Sequence, residues 1–242
     1  MKIVISQPMY FPWVGMFEQI RLSDIFVFYN DVQFSKGSFT NRVQIKAPNS
    51  EGYKWLTVPL KGLTLGKLIS EVEIDNNKSW KKLHQNLLRE FYNGAPFYDD
   101  VMELIGKLFS DDYVTIDLLS KKSMRLVIDY FDLGQARSFL DSENIQIFGN
   151  SSERVLEIVK KLSGSSYITG HGAINYLNHH LFENNGIDVE YMNYKKKEYP
   201  QLWGKFNPYV SILDLIANKG KNGIHYIDST TMNWKYFMNN SF

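Results

Sequence analysis

The sequence predicts an α/β fold: three layers around a mainly parallel, Rossmann-like sheet, with a helical insertion or lobe. Three observations predict it. The chain opens on a strand, a Pro-containing loop, a helix and a second strand; its last third alternates apolar runs with helical patterns; and a long helical stretch separates the two. The 242 residues read as a single α/β domain spanning 1–242, with the lobe at 76–131.

Lys2–Ser6 is apolar and β-branched and runs into Gln7-Pro8, as a buried strand should. Pro8 and Pro12 bracket a loop that cannot be regular helix. Val14, Phe17 and Ile20 have helical spacing over 14–22, and Asp24–Tyr29 is a second apolar strand. This is a βαβ unit, whose two strands are expected to be parallel and covered on both faces. Asn41–Ala47, Lys54–Leu60 and Leu68–Ile74 read as shorter strands, the first two joined by a turn at 48–52. Helices are expected over Ser79–Tyr92, Asp99–Phe109 and Val114–Tyr130.

In the last third, Ile145–Phe148 is a strand candidate. Asn150 and Glu153 have capping-box spacing ahead of a helix over Ser152–Leu162. Tyr167–Thr169 is a strand, Gly170-His171-Gly172 a tight turn, Ala173–Asn184 a helix and Ile187–Met192 a strand. A final helix, Ser211–Lys219, stops at Gly220.

Composition removes several function classes. Lys and Arg total 27 against 26 Asp and Glu, so a net charge of +1 gives no bulk attraction to nucleic acid or anionic membrane. With no Cys there is no disulfide, zinc-thiolate site, Fe–S cluster or cysteine nucleophile. No leader and no run of roughly 18 apolar residues stands out, so a soluble, cytoplasmic protein is expected. Assembly as a homodimer is compatible with the sequence. His179 and His180 are adjacent and point about 100° apart on a helix, so they make no metal pair, and no metal site is expected. Aromatic residues reach 15%, which serves a core or the walls of a ligand cleft.

Three constellations suit chemistry. In open α/β sheets ligands bind beyond the carboxyl ends of the strands, where the loop Gln7-Pro8-Met9-Tyr10-Phe11-Pro12-Trp13-Val14-Gly15 falls. Gln7 both donates and accepts, Tyr10 and Trp13 offer flat faces, and Gly15 admits close backbone approach. The segment after the second strand brings Asp31, Gln33 and Lys36, then Asn41 and Arg42, to the same mouth; the carboxylate suits a base and the cations suit phosphate. Gly170-His171-Gly172 repeats the strand–glycine–helix arrangement, with His171 an acid or base. A solvated turn is the competing account of the last two. Tyr199 and Gln201 follow the basic run 195–197 and could face a cleft. Neither G-x-G-x-x-G, a P-loop, G-x-S-x-G, H-E-x-x-H nor D-x-D occurs.

These residues resemble one family. The opening motif through Gly15, then Ser23–Val27, Asp31–Phe34, Asn41-Arg42, Trp55–Pro59, Ser151-Ser152, Tyr167–Gly170, Tyr199-Pro200-Gln201 and Ser211–Leu215, is similar in order and spacing to the WbqC-like proteins. Ser6 departs from the pattern, in which His commonly precedes Gln-Pro. The resemblance implies a protein of bacterial O-antigen, lipopolysaccharide or capsule biosynthesis. It points to N-acyl transfer, of an aminoacyl group such as glycyl, onto the amine of a dTDP- or UDP-linked amino sugar. Asp31, His171 and Gln7 are then the catalytic candidates. Tyr10, Trp13, Gly15, Gln33, Lys36, Asn41, Arg42, Gly170, Tyr199 and Gln201 are the substrate-binding candidates. ATP with Mg, acyl-CoA or a carrier-bound acyl group is the candidate donor system; the His-x-x-His loop of adenylate-forming nucleotidyltransferases is absent, and with no Cys the chain cannot itself carry a thioester. The alternatives are a non-catalytic nucleotide-sugar-binding partner in a biosynthetic complex and another sugar-modifying transferase.

Overall fold

The computed structural model describes residues 1–240. The opening unit is β1 (Lys2–Ser6), α1 (Val14–Leu22) and β2 (Ile25–Phe28). Two small antiparallel pairs follow: β3 (Arg42–Lys46) with β4 (Tyr53–Thr57), and β5 (Leu60–Lys61) with β6 (Glu73–Ile74). The helical stretch is α2 (Trp80–Tyr92), α3 (Tyr98–Phe109) and α4 (Ile116–Tyr130). The remainder runs β7 (Ser138–Asp141), α5 (Ser142–Ile145), α6 (Ser151–Lys161), β8 (Ser166–Thr169), α7 (His179–Glu183), β9 (Asp188–Asn193), α8 (Ile212–Lys219), β10 (Thr230–Asn233) and α9 (Trp234–Asn240).

Among the described residues the main sheet has six strands in the order β10-β9-β8-β1-β2-β7. All neighbours are parallel except β10, which runs antiparallel to β9. Strand periodicity sorts the side chains into two apolar layers. Val4, Phe26, Phe28, Ile168 and Met192 face one side and join a cluster with α1, α8, the hairpins and the helical stretch. Ile3, Ile5, Val27, Tyr167, Val189 and Tyr191 face the other and pack on α6, α7 and α9. That alternation makes three layers. The lobe helices share the first cluster with the sheet, so one continuous core runs through both.

Several local expectations change. Ile145–Phe148 is not a strand: Ser138–Asp141 takes the edge position beside β2, pairing Phe26 with Phe139, and the chain then coils into α5, which ends at Gln146 with φ 56°. Leu68–Ile74 splits into a 3₁₀ turn at Ile69–Glu71 and the two residues of β6. The helix expected over 173–184 breaks in two. A 3₁₀ turn covers His171–Asn175, and α7 begins afresh at Asn178, whose side chain accepts from the Leu181 amide while its own amide donates to Ser152 Oγ at 2.9 Å. The Asn150 side chain caps nothing, so the capping box does not form; Ser151, at φ 53°, turns the chain into α6 instead. No described helix is long and apolar enough to cross a membrane.

Candidate functional site

Sheet order locates the cleft. From β1 the chain builds outward through β2 and β7, then returns to β1's other edge with β8 and continues to β9. A parallel sheet that reverses direction leaves a crevice at the carboxyl ends of the strands flanking the reversal. A cleft of about 940 Å³ lies there, walled by Ser6 and Gln7 at the end of β1, Tyr29, Asp31 and Gln33 after β2, Gly149–Ser151 entering α6, and Thr169–Gly172 at the end of β8.

The opening loop is held by its backbone. Phe11, buried and at φ 41°, has its amide bound to Ser123 Oγ at 3.0 Å and its carbonyl to Ser211 Oγ at 2.8 Å. A bulky residue at positive φ is costly and persists only when its surroundings fix it. This reversal sends Tyr10 and Phe11 into the core and leaves Gln7, Met9 and Trp13 on the cleft. Tyr10 is therefore not at the mouth: it is fully buried, its hydroxyl 3.1 Å from His84 Nδ1. His84 Nε2 lies 3.2 Å from the Thr57 carbonyl. Burial pulls His84 down to about 4, so the ring is neutral, donating from Nε2 and accepting the Tyr10 proton at Nδ1. Trp13 lies over Gly15, where a Cβ would come within 2.1 Å of the indole, and its ring meets Tyr194 at 4.9 Å and Tyr209 at 5.5 Å.

Asp31 reaches the cleft with its carboxylate engaged. One oxygen accepts from Ser142 Oγ, the other from the Arg154 guanidinium. Arg154 also lies over the Tyr29 ring, 5.0 Å from its centroid, and donates to the Ile147 carbonyl at 2.8 Å. Beneath, Asn30 Nδ2 donates to Asp117 at 3.2 Å, and Lys121 bridges Asp117 at 2.7 Å and Asp141 at 3.1 Å. Burial raises the Tyr29 phenol, and that of Tyr176 on the rim, so both stay neutral hydroxyls.

On the β8 side, Gly170 leaves room for the Tyr194 hydroxyl and the Gln19 amide, which would lie 3.0 and 3.1 Å from a Cβ. His171 is exposed on the cleft yet held: its Nε2 is 2.6 Å from the Met192 carbonyl, and its ring packs on Tyr194 at 5.1 Å and on Phe237 at 4.8 Å. Lys196, at φ 46°, also lines the cleft and donates to Tyr209 Oη at 2.6 Å.

Thus Gln7, Trp13, Asp31, Gln33, Gly170 and His171 converge on one cleft, and the other sequence candidates do not line it. Lys36 is exposed on the loop after β2. Asn41 is buried and donates to the Val58 carbonyl at 2.9 Å, while Arg42 stacks on Trp55 at 4.3 Å. Tyr199 and Gln201 belong to an interior polar group, Gln201 Nε2 lying 3.2 Å from Tyr199 Oη. That group surrounds Asp214, fully buried, with neither carboxylate oxygen matched at hydrogen-bond distance. Burial pushes Asp214 up to about 6 against the pull of Tyr199, Tyr92, Gln201 and Lys46. Cleft residues the sequence does not single out include Gln19, Arg154, Tyr176, Tyr194 and Tyr209, while Lys196 enters it only as part of the basic run 195–197; the match at Ser151-Ser152 and the Asn150–Glu153 spacing are the signals near Arg154.

A protein-family model described as the WbqC-like protein family matches residues 7–226. The chain is similar to a curated protein of Mycobacterium tuberculosis (strain ATCC 25618 / H37Rv), the uncharacterized protein Rv1507c. The two are 30% identical over 230 residues, which is 93% of this chain and 97% of that protein. No solved structure matches the chain significantly.

Proposed function

The chain belongs to the WbqC-like protein family, and from that membership and the shape of its cleft we propose a transferase of bacterial polysaccharide biosynthesis. It joins an acyl group, aminoacyl such as glycyl, to the amine of a dTDP- or UDP-linked amino sugar.

The observation that carries this reading is the makeup of the cleft: about 940 Å³, with Trp13, Tyr29, Tyr176, Tyr194 and Tyr209 around the cations Arg154 and Lys196. Ligand pockets usually run from about 300 to 1,000 Å³, so a nucleoside diphosphate with its sugar is in scale. Aromatic faces stack a pyrimidine base or an apolar sugar face. Guanidinium and ammonium groups suit a pyrophosphate, and the entry to α6 at Asn150 and Ser151 adds amide donors of the kind anions favour. The amine then belongs near Gln7, Asp31 and His171. The acyl donor is an activated one: a carboxylate with ATP and Mg, acyl-CoA or a carrier thioester.

Incubating the protein with a dTDP-4-amino sugar and glycine plus ATP, or with an acyl-CoA, and reading product mass tests the proposal. A mass gain of one acyl group is expected, and none with any donor class overturns it. A second reading, a nucleotide-sugar-binding partner without turnover, draws on the engagement of Asp31 by Arg154 and Ser142. It predicts tight dTDP-sugar binding with no mass change.

A further inference from the structure

Acyl transfer to an amine releases a proton, and the cleft offers two side chains to take it. Asp31 already spends both oxygens, on Ser142 and on Arg154. His171 is arranged differently. The Met192 carbonyl can only accept, so the 2.6 Å contact requires the proton on His171 Nε2 and leaves Nδ1 with its lone pair. Nδ1 has no hydrogen-bond partner among the described residues. The ring also packs on two aromatic neighbours, Tyr194 at 5.1 Å and Phe237 at 4.8 Å, which limit its turning.

We propose that His171 is the acid–base residue of the transfer, acting through Nδ1, and that Phe237 is the residue that positions it. The assignment rests on the transferase reading above. The sugar amine attacks the acyl carbonyl carbon, the new C–N bond forms, and the bond from that carbon to the leaving group breaks, its electron pair departing with the thiolate or phosphate. The proton from the nitrogen passes to Nδ1 and then to the departing group, which returns the imidazole to its starting state. Asp31 instead holds Arg154 in place for the anionic part of the substrate.

Phe237 makes this more than a local matter. It stacks on Tyr191 at 4.2 Å and 7°, and is carried by α9, which follows β10. Thr231 pairs with Met192, so β10 also braces the strand that presents the accepting carbonyl. These elements lie beyond the residues the family model matches, 7–226. The C-terminal strand and helix thus complete the site from outside the matched region.

The test has two arms on the full chain. Imidazole ¹⁵N NMR at pH 8, with the His171 signal identified by its loss in H171Q, should show protonated Nε2 and unprotonated Nδ1. F237A should give an averaged tautomer signal, and the milder F237L should keep the wild-type one. A protonated Nδ1 in the wild type, or a F237A signal identical to it, overturns the arrangement. In the second arm H171Q should lower the rate of acyl transfer roughly 10²–10⁴-fold, while dTDP alone binds it within about threefold of wild type. Transfer that persists in H171Q overturns the base assignment alone. Absence of transfer by the wild-type chain overturns the transferase reading and the base with it.

Discussion

Asp31 and Arg154, 123 residues apart in sequence, are locked together at the floor of the cleft. Their side chains are 20% and 7% exposed, so neither is a surface charge whose pairing water would largely replace. Removing one partner strands the other. R154A should therefore lower stability by about 3 kcal/mol, measured by urea denaturation. Adding D31N should restore part of that loss, and simple additivity of the two changes would mean the pair is uncoupled.

Tyr10 and Trp13 lie three residues apart with opposite fates, so their substitutions should separate. Y10F leaves His84 Nδ1 without its donor and should cost about 1–2 kcal/mol, with nucleotide-sugar affinity unchanged. W13A should do the reverse, weakening binding of dTDP or UDP about tenfold or more by calorimetry. Equal loss of affinity in both would place Tyr10 functionally at the mouth.

Gly15 sits where a methyl group would enter the Trp13 ring at 2.1 Å. G15A should push the indole off Tyr194 and Tyr209, visible as a shift in tryptophan emission. Ligand binding should weaken even though residue 15 itself faces the adjoining crevice rather than the cleft. Unchanged emission and affinity would show that the loop tolerates the displacement.

Asp214 and His84 titrate in opposing directions. The folded Asp214 carboxyl, raised from 3.8 to about 6, keeps a proton that the unfolded chain releases near 4. Its contribution is present below pH 4 and is lost as pH rises through 6, an effect of about 3 kcal/mol. His84, lowered from 6.5 to about 4, contributes stability above pH 6.5 that is lost as pH falls through 4. In wild type the two offset between pH 4 and 6. D214N should expose the His84 slope, so that its melting temperature gains on wild type as pH rises from 4 to 6 and holds a constant lead above 7. A difference independent of pH would show that Asp214 is not protonated in the fold.

Legibility in the sequence followed how local each signal is. β1, α1 and β2 are readable because a continuous apolar β-branched run, two prolines and a helical repeat stand side by side, and β8 and β9 are readable as short apolar runs flanking a glycine turn and a helical pattern. β7 and β10 are not: Ser138–Asp141 and Thr230–Asn233 are edge strands of four residues with no apolar run longer than two, and they exist through pairing with β2 and β9. The cleft divides the same way. Gln7, Asp31 and His171 line the cleft because they follow strands, a position legible in the sequence. Arg154 depends on Ser151 turning α6, and Tyr176, Tyr194 and Tyr209 reach the rim from loops whose course is set by distant contacts. Tyr10 and Tyr199 look alike in sequence to a cleft tyrosine, since only the fold decides whether a hydroxyl meets a ligand, His84 or the Gln201 amide.

The return of the chain to β1 also orders events in time. On one edge β1 meets β2 almost at once; on the other it waits for β8, and Met1, the residue just ahead of it, accepts from the Ser165 amide, 164 residues later, at 2.9 Å. A ribosome-bound chain that has not yet released β8 therefore carries the innermost strand of its sheet as an open edge, the kind of edge that recruits other chains. Closure of so long a loop makes late, slow formation of the β1–β8 pairing the expected folding step, and the cleft, which both strands wall, comes into being only with it.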